Sequence, residues 1–195
     1  NLPDIKDVKL FLKILENLGA EVCYIDNNTV EIDCSGVFSH EPLGELTRRM
    51  RGSSYLMGAL LGRTKQFCVD PPGGCDFGTR PIDMHIKSFE LMGAKVDTSR
   101  GIVAAKAEKL KGAQIYFDIV SVGATVNAIL AAVLAEGTTV IEGAAREPHV
   151  VDLANGHVKA IDWVLKNNGC EAFNLGTGNG ISVLQLRQAF EDASG

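Results

Sequence analysis

The residues with the clearest potential for chemistry lie in a segment rich in glycine and proline, residues 71–81. It places Cys75 five residues before Arg80, with glycines at positions 73, 74 and 78. Glycines let main-chain amides approach a ligand closely, and a nearby guanidinium and amide donors favour a thiolate. The segment therefore predicts a mobile loop that carries a catalytic acid, base or nucleophile at Cys75. The alternative is an ordinary turn whose cysteine only fills space.

Two predicted helix starts offer binding sites for a phosphate group. Arg80 directly precedes a helix that begins with residues 81–85, and residues 121–123 open a second helix. A helix N-terminus has free amides and partial positive charge, which attract anions. Ser121 is equally well explained as a simple helix cap. Asp83 and His85, taken alone, are more often capping or solvated residues than ligand contacts. Arg48, Arg49 and Arg51 form a charge run that is ordinarily solvated, and this interpretation is strong for Arg48 and Arg49.

Composition narrows the classes of function. The chain has 195 residues, of which 46% are hydrophobic, and its net charge of −5 argues against nucleic acid as the main partner. The longest apolar run, residues 128–135, is much shorter than the roughly 20 residues of a membrane span. The N-terminus has no signal-peptide pattern, so a cytoplasmic location is expected. Five cysteines without a Cys-x-x-Cys pair predict neither a disulfide framework nor a metal site.

The spacing of apolar residues predicts an α/β fold built from a repeated unit of helix, hairpin, helix and strand. In the first unit these elements span residues 3–19, 21–33, 45–62 and 67–70. In the second unit they span residues 81–92, 96–105, 121–134 and 138–142, with an added strand at 111–118. The sequence at 92–96 echoes that at 18–22 at an offset of 74 residues, with glycine, alanine and valine at the same places. Because such units bury their apolar faces by stacking, a third copy is expected from residue 148.

Several of these stretches resemble the UDP-N-acetylglucosamine enolpyruvyl transferase family. The resemblance lies in residues 50–53, 71–85, 118–125 and 135–148, and covers about residues 1–155. It implies an inside-out α/β barrel domain with helices inside sheets, no cofactor, and transfer of enolpyruvyl from phosphoenolpyruvate to the 3-hydroxyl of UDP-N-acetylglucosamine. Cys75 would be catalytic and the expected target of fosfomycin. The implied substrate-binding residues are Arg51, Arg80, Pro81, Ile82, Asp83, Met84, His85, Val120, Ser121, Val122 and Gly123.

The end of the chain departs from this family. From about residue 150 it resembles the C-terminal half of nucleotide-sugar 4-epimerases, with a glycine-rich stretch at 176–180 that lacks the Gly-x-Gly-x-x-Gly spacing of a dinucleotide site. The predicted domains are therefore a transferase-like repeat domain at 1–152 and an epimerase-like tail at 153–195, which would replace the third repeat. Ile119 stands where some transferases carry lysine.

Three functional hypotheses follow. The first is a fragment or chimera of the transferase that lacks the second catalytic domain of the family and is inactive by itself. The second is a non-catalytic scaffold whose site residues are relics. The third, a partial epimerase, is disfavoured because the cofactor fingerprint and the Tyr-x-x-x-Lys pair of those enzymes are absent.

Overall fold

A computed structural model describes residues 2–42, 44–71 and 82–147, together with the single residues 150, 155, 156, 159 and 166. The chain divides into two compact units, residues 1–145 and 146–195. All helices and strands given below lie in the first unit. Cys75, Arg80, Pro81 and nearly all of the predicted tail lie outside the described residues.

The first half of this unit begins with a helix and a hairpin. Helix α1 spans Lys6–Leu18, and the antiparallel strands β1, Glu21–Tyr24, and β2, Val30–Asp33, follow it. The hairpin turn contains an amide hydrogen bond from Asn28 to the carboxylate of Asp26, over 2.8 Å. Such a bond is typical of Asp in turns. The predicted helix and hairpin are therefore both present.

The second predicted helix, residues 45–62, is interrupted, and this part of the prediction is wrong. A short helix α2, Gly44–Thr47, is followed by a 3₁₀ turn, Arg51–Ser54, and only then by helix α3, Tyr55–Thr64. The buried hydroxyl of Ser53 donates to the carbonyls of Thr47 and Met50, over 2.9 and 2.8 Å. These bonds satisfy carbonyls that a continuous helix would pair internally, because serine hydroxyls compete with helical hydrogen bonds.

The second half contains a helix, a hairpin, a further strand, a second helix and a final strand. The elements are α4, Asp83–Leu91; β4, Lys95–Asp97; β5, Val103–Lys106; β6, Gln114–Tyr116; α5, Val122–Ala132; and β7, Val140–Glu142. Strand β3, Gln66–Val69, pairs with β5 in an antiparallel sheet of order β3-β5-β4, and β6 and β7 pair in parallel. Strand β6 is shorter than the predicted strand at 111–118. Lys111 contributes only an isolated bridge to Glu136.

Helices α3 and α5 pack against each other in the interior. Most residues of both helices are buried, which follows from sequences that are apolar on nearly every side. The crossing is close at Gly58, where an added Cβ would lie 2.4 Å from the main-chain oxygen of Asn127. Helix α4 covers β3 through an edge-to-face contact of Phe89 with Phe67, whose ring centroids are 5.7 Å apart. This core fixes the relative positions of the helix ends that form the site.

Candidate functional site

A cleft of about 460 Å³ lies where three separate segments meet. The 3₁₀ turn and the start of α3 form one side, the first turn of α4 forms another, and the segment leading into α5 forms the third. The lining residues are Arg51, Gly52, Ser54, Tyr55, Met84, His85, Val120, Ser121, Val122 and Gly123. Arg51, Met84, His85 and residues 120–123 were candidate site residues from the sequence, and they line this one cleft.

The three arginines that precede α3 lie in different environments. Arg51 is half-buried and lines the cleft, held there by the 3₁₀ turn that the Ser53 hydroxyl closes. Arg48 is exposed and pairs with Asp70 at 2.8 Å, and Arg49 lines a different groove beside α1. The interruption of the predicted helix therefore separates Arg51 from the other two charges.

His85 is almost completely buried at the wall of the cleft, with 4% of its surface exposed. Burial lowers the pKa of its imidazole from 6.5 to about 4, because a charged ring would lose its hydration. The positive charge of Arg51 lowers this pKa further, and the carboxylate of Asp83 opposes the change. His85 is thus neutral at physiological pH.

Asn127 connects the three helices behind the cleft. Its side chain accepts a hydrogen bond from the Gly58 amide, over 2.7 Å, and donates to the Gly123 carbonyl, over 3.2 Å. It also lies 3.0 Å from Nδ1 of His85. Sequence reasoning missed this residue. The available signal was that Asn127 interrupts an otherwise apolar run at residues 126–135, because buried amides are kept where they are hydrogen-bonded.

Ser121 is the N-cap of α5. Its side chain accepts a hydrogen bond from the Ala124 amide, over 3.3 Å, and its carbonyl accepts one from the Thr125 amide. The amides of Val122 and Gly123 belong to the first turn, where a helix offers them no acceptor. The capping alternative for Ser121 is therefore present in the structure, and the same helix start borders the cleft.

The remaining predicted site residues have other positions. Ile82 packs partly buried against the hydrophobic core, and Asp83 is exposed in the first turn of α4. Neither lines the cleft. Cys75, Arg80 and Pro81 lie outside the described residues. Sequence reasoning also missed Gly52, Ser54 and Tyr55, which line the cleft. Gly52 lies within residues 50–53, one of the stretches that carry the resemblance, whereas Ser54 and Tyr55 belong to no motif.

The lining groups of the cleft have the chemistry of an anion site. Arg51 contributes a permanent positive charge, and the start of α5 contributes main-chain amides and the positive end of the helix dipole. Within the described ranges, no group of three or more His, Cys, Asp or Glu side chains could hold a metal ion. The cleft therefore favours a phosphate-bearing ligand.

No helix among the described residues combines the length and the apolar character that crossing a membrane requires.

The matching family model and two similar curated proteins are all carboxyvinyltransferases. The family model for EPSP synthase (3-phosphoshikimate 1-carboxyvinyltransferase) matches residues 1–160. A UDP-N-acetylglucosamine 1-carboxyvinyltransferase 3 from Caldanaerobacter subterraneus subsp. tengcongensis is 52% identical over 175 residues, which are 90% of this chain and 42% of the relative. The UDP-N-acetylglucosamine 1-carboxyvinyltransferase of Clostridium botulinum is 52% identical over 155 residues, 80% of this chain and 37% of the relative. The chain thus spans about two fifths of the length of these relatives.

Solved structures support the same fold. The enolpyruvyl transferase NikO from Streptomyces tendae matches with a TM-score of 0.65 at 21% identity, over 80% of this chain and 37% of that one. An EPSP synthase from Acinetobacter baumannii matches with a TM-score of 0.61 at 22% identity, over 77% of this chain and 36% of that one.

These comparisons give no support to an epimerase-like tail. The Caldanaerobacter match leaves only about a tenth of the chain uncovered, so it includes part of residues 153–195. That match therefore extends into the predicted tail, whereas the family model ends at residue 160.

Proposed function

Because this chain belongs to the EPSP synthase (3-phosphoshikimate 1-carboxyvinyltransferase) family, we propose that it contributes one wall of an active centre that transfers enolpyruvyl from phosphoenolpyruvate to UDP-N-acetylglucosamine. The names of its relatives, at about half identity, support this choice of substrates. The product would be a precursor of peptidoglycan, made in the cytoplasm. The reaction adds the sugar 3-oxygen to the enol carbon and a proton to the methylene carbon, and then eliminates phosphate with loss of a proton from that same carbon.

The observation that carries this proposal is the convergence of Arg51, His85 and the first turn of α5 on one cleft. Its donors suit the diphosphate of a nucleotide sugar, which presents acceptor oxygens and negative charge. Met84, His85 and residues 120–123, which line the cleft, would hold the nucleotide, and Arg51 would contact the substrate. Arg80 and Pro81 would extend the same site.

Cys75 would act on phosphoenolpyruvate. It would protonate the methylene carbon, or add transiently to the enolpyruvyl carbon, as the sugar oxygen attacks. Arg80 would hold the phosphate that leaves. Closure of the loop would exclude water from the tetrahedral intermediate. This scheme needs no cofactor.

We also propose that residues 1–195 bind the nucleotide sugar but do not turn it over by themselves. The relatives are more than twice as long as the match, and the part outside it would complete the centre. Release of phosphate from phosphoenolpyruvate at an ordinary enzyme rate by this chain would contradict the proposal.

Binding of UDP-N-acetylglucosamine, measured by calorimetry, tests the nucleotide site. Arg51→Gln should weaken binding at least about tenfold, since a charge-assisted hydrogen bond contributes roughly 1.5–3 kcal/mol. Arg49→Gln is the matched control, because this exposed arginine lines another groove. If both variants bind the nucleotide sugar with equal affinity, the nucleotide does not bind in this cleft. No binding by the unmodified chain would remove the proposal itself.

A further inference from the structure

The orientation of the Asn127 amide is decided by two main-chain groups. The Gly58 amide, 2.7 Å away, can only donate, so its partner is the Asn127 oxygen. The Gly123 carbonyl, 3.2 Å away, can only accept, so its partner is the Asn127 nitrogen. These two contacts agree, because they place the oxygen toward α3 and the nitrogen toward the start of α5.

The same nitrogen lies 3.0 Å from Nδ1 of His85. A primary amide nitrogen only donates, so Nδ1 must be the acceptor and must carry no proton. A neutral imidazole has one N–H, which is then on Nε2. Because this pair is buried, a protonated Nδ1 would leave two donors facing each other, an arrangement that costs the desolvation of both groups.

Nε2 of His85 lies on the side of the ring next to the first turn of α5. A Cβ built on Gly123 would be 3.5 Å from this nitrogen and 3.3 Å from the adjacent Cε1. Because Gly123 has no side chain, the Nε2 edge of the His85 ring lies close to the main chain at the start of α5. Both residues line the cleft.

We propose that Asn127 is a positioning residue that holds His85 in the neutral tautomer protonated on Nε2, so that the ring donates a hydrogen bond to an acceptor oxygen of the ligand. The identity of that ligand as a nucleotide sugar rests on the proposed function, whereas the tautomer does not. Together with Arg51 and the amides of α5, His85 makes this wall of the cleft a set of donors.

The charged groups around His85 are consistent with a neutral ring. Arg51 faces it from the turn before α3 and Asp83 from its own helix, and Tyr55 also lines the cleft. Helix α5 presents Asn127 and residues 121–123, which do not titrate. Burial and the charge of Arg51 hold the pKa of His85 at about 4, below the physiological range.

Nitrogen NMR of the imidazole tests the tautomer in the chain without any ligand. With ¹⁵N-labelled histidine, Nδ1 of His85 should resonate as an unprotonated nitrogen and Nε2 as a protonated one, and both should stay constant from about pH 6 to 8. His85→Gln assigns the signals. His40 is half-exposed, and its Nδ1 lies 3.3 Å from the Gln66 amide. Its ring signals in the same spectrum serve as the internal comparison for those of His85. A proton on Nδ1 of His85 would overturn the inference.

Asn127→Asp tests the positioning role while it changes few atoms. The carboxylate still accepts from Gly58 but can no longer donate to His85, so the proton should move to Nδ1. Above the new pKa of the ring, Nε2 would then face the ligand with a lone pair. As the pH rises from about 6 to 9, the affinity of this variant for UDP-N-acetylglucosamine should therefore fall at least about tenfold relative to that of the unmodified chain. The esterified diphosphate itself does not titrate in this range.

A merely structural role for Asn127 would weaken binding equally at every pH, and parallel pH profiles for the two proteins would overturn the positioning role. If Asn127→Asp does not fold, the ring spectrum of the unmodified chain still decides the tautomer. If the unmodified chain shows the Nε2 tautomer but does not bind UDP-N-acetylglucosamine, the proposed function fails while the assignment of the tautomer stands.

Discussion

Asn127 and His85 are 42 positions apart in the chain, and their side chains form a buried hydrogen bond of 3.0 Å at the wall of the cleft. The bond joins the middle of α5 to the first turn of α4. Because Asn127 also accepts a hydrogen bond from the Gly58 amide of α3, one side chain links the three helices that position the candidate site. Changes at this junction are expected to alter stability and binding together, and changes at the mouth of the cleft are expected to alter binding alone.

The buried neutral His85 should make the fold less stable in mild acid. Its pKa is about 4 in the folded chain and 6.5 ordinarily, so the unfolded chain binds the proton first as pH falls. Between these values stability therefore increases with pH. From pH 7 to about 5, the unmodified chain should lose about 2 kcal/mol more than His85→Gln, measured by urea unfolding. Carboxyl groups whose pKa is lowered, such as Glu136 beside Lys109, also make the fold less stable as the pH falls. Their effect should be equal in both proteins. Parallel pH curves would contradict the burial of a neutral ring.

Gly58→Ala should destabilise the chain, although alanine is ordinarily the better helix former by about 1 kcal/mol. The new Cβ would lie 2.4 Å from the main-chain oxygen of Asn127 and 2.8 Å from its side-chain oxygen. Overpacking of this kind costs about 1–3 kcal/mol. Urea unfolding measures the loss, and the ring spectrum of His85 should change as Asn127 moves.

Gly62→Ala is the matched control for Gly58→Ala, because its Cβ would meet the Leu130 oxygen at 2.8 Å and not Asn127. It should lower stability and leave the His85 spectrum unchanged. Identical spectra for both variants would show that Asn127 does not respond to packing at Gly58.

Gly123→Ala should separate binding from stability. Its Cβ would lie 3.3 Å from Cε1 of His85, a tight contact that a small shift of the ring relieves, and alanine suits a helix better than glycine. We expect an unchanged or slightly raised unfolding midpoint and at least about a tenfold loss of affinity for UDP-N-acetylglucosamine, because the methyl group occupies space beside Nε2. Full affinity in a folded Gly123→Ala variant would place the ligand elsewhere.

Cys75 should react faster than the other cysteines. Burial raises the pKa of the Cys68 thiol, and the charges of Glu41 and Asp70 add to this effect. Cys23, exposed on β1, provides an accessible reference thiol. With fosfomycin, intact mass should show one adduct that is absent from Cys75→Ser. Equal labelling of several cysteines in the folded chain would instead favour the non-catalytic scaffold.

Local sequence patterns were sufficient for most of the helices and strands. Apolar spacing predicted α1, the β1–β2 hairpin, α4 and α5, because these elements are defined by contacts between residues close in the chain. The break before α3 was not predicted. It depends on the Ser53 hydroxyl bonding to Thr47 and Met50, a choice that propensity and periodicity do not contain.

The sequence by itself determined the family, the identity of the groups able to bind an anion, and the helix start at Ser121. Tertiary structure decided which of those groups meet: Arg51 lines the cleft while Arg48 pairs with Asp70, and Asp83 remains outside. It also decided the proton position on His85 through Asn127. Hydrogen-bond roles and burial depend on partners brought together by the packing of α3, α4 and α5, and one helix sequence read alone contains no information about its neighbours.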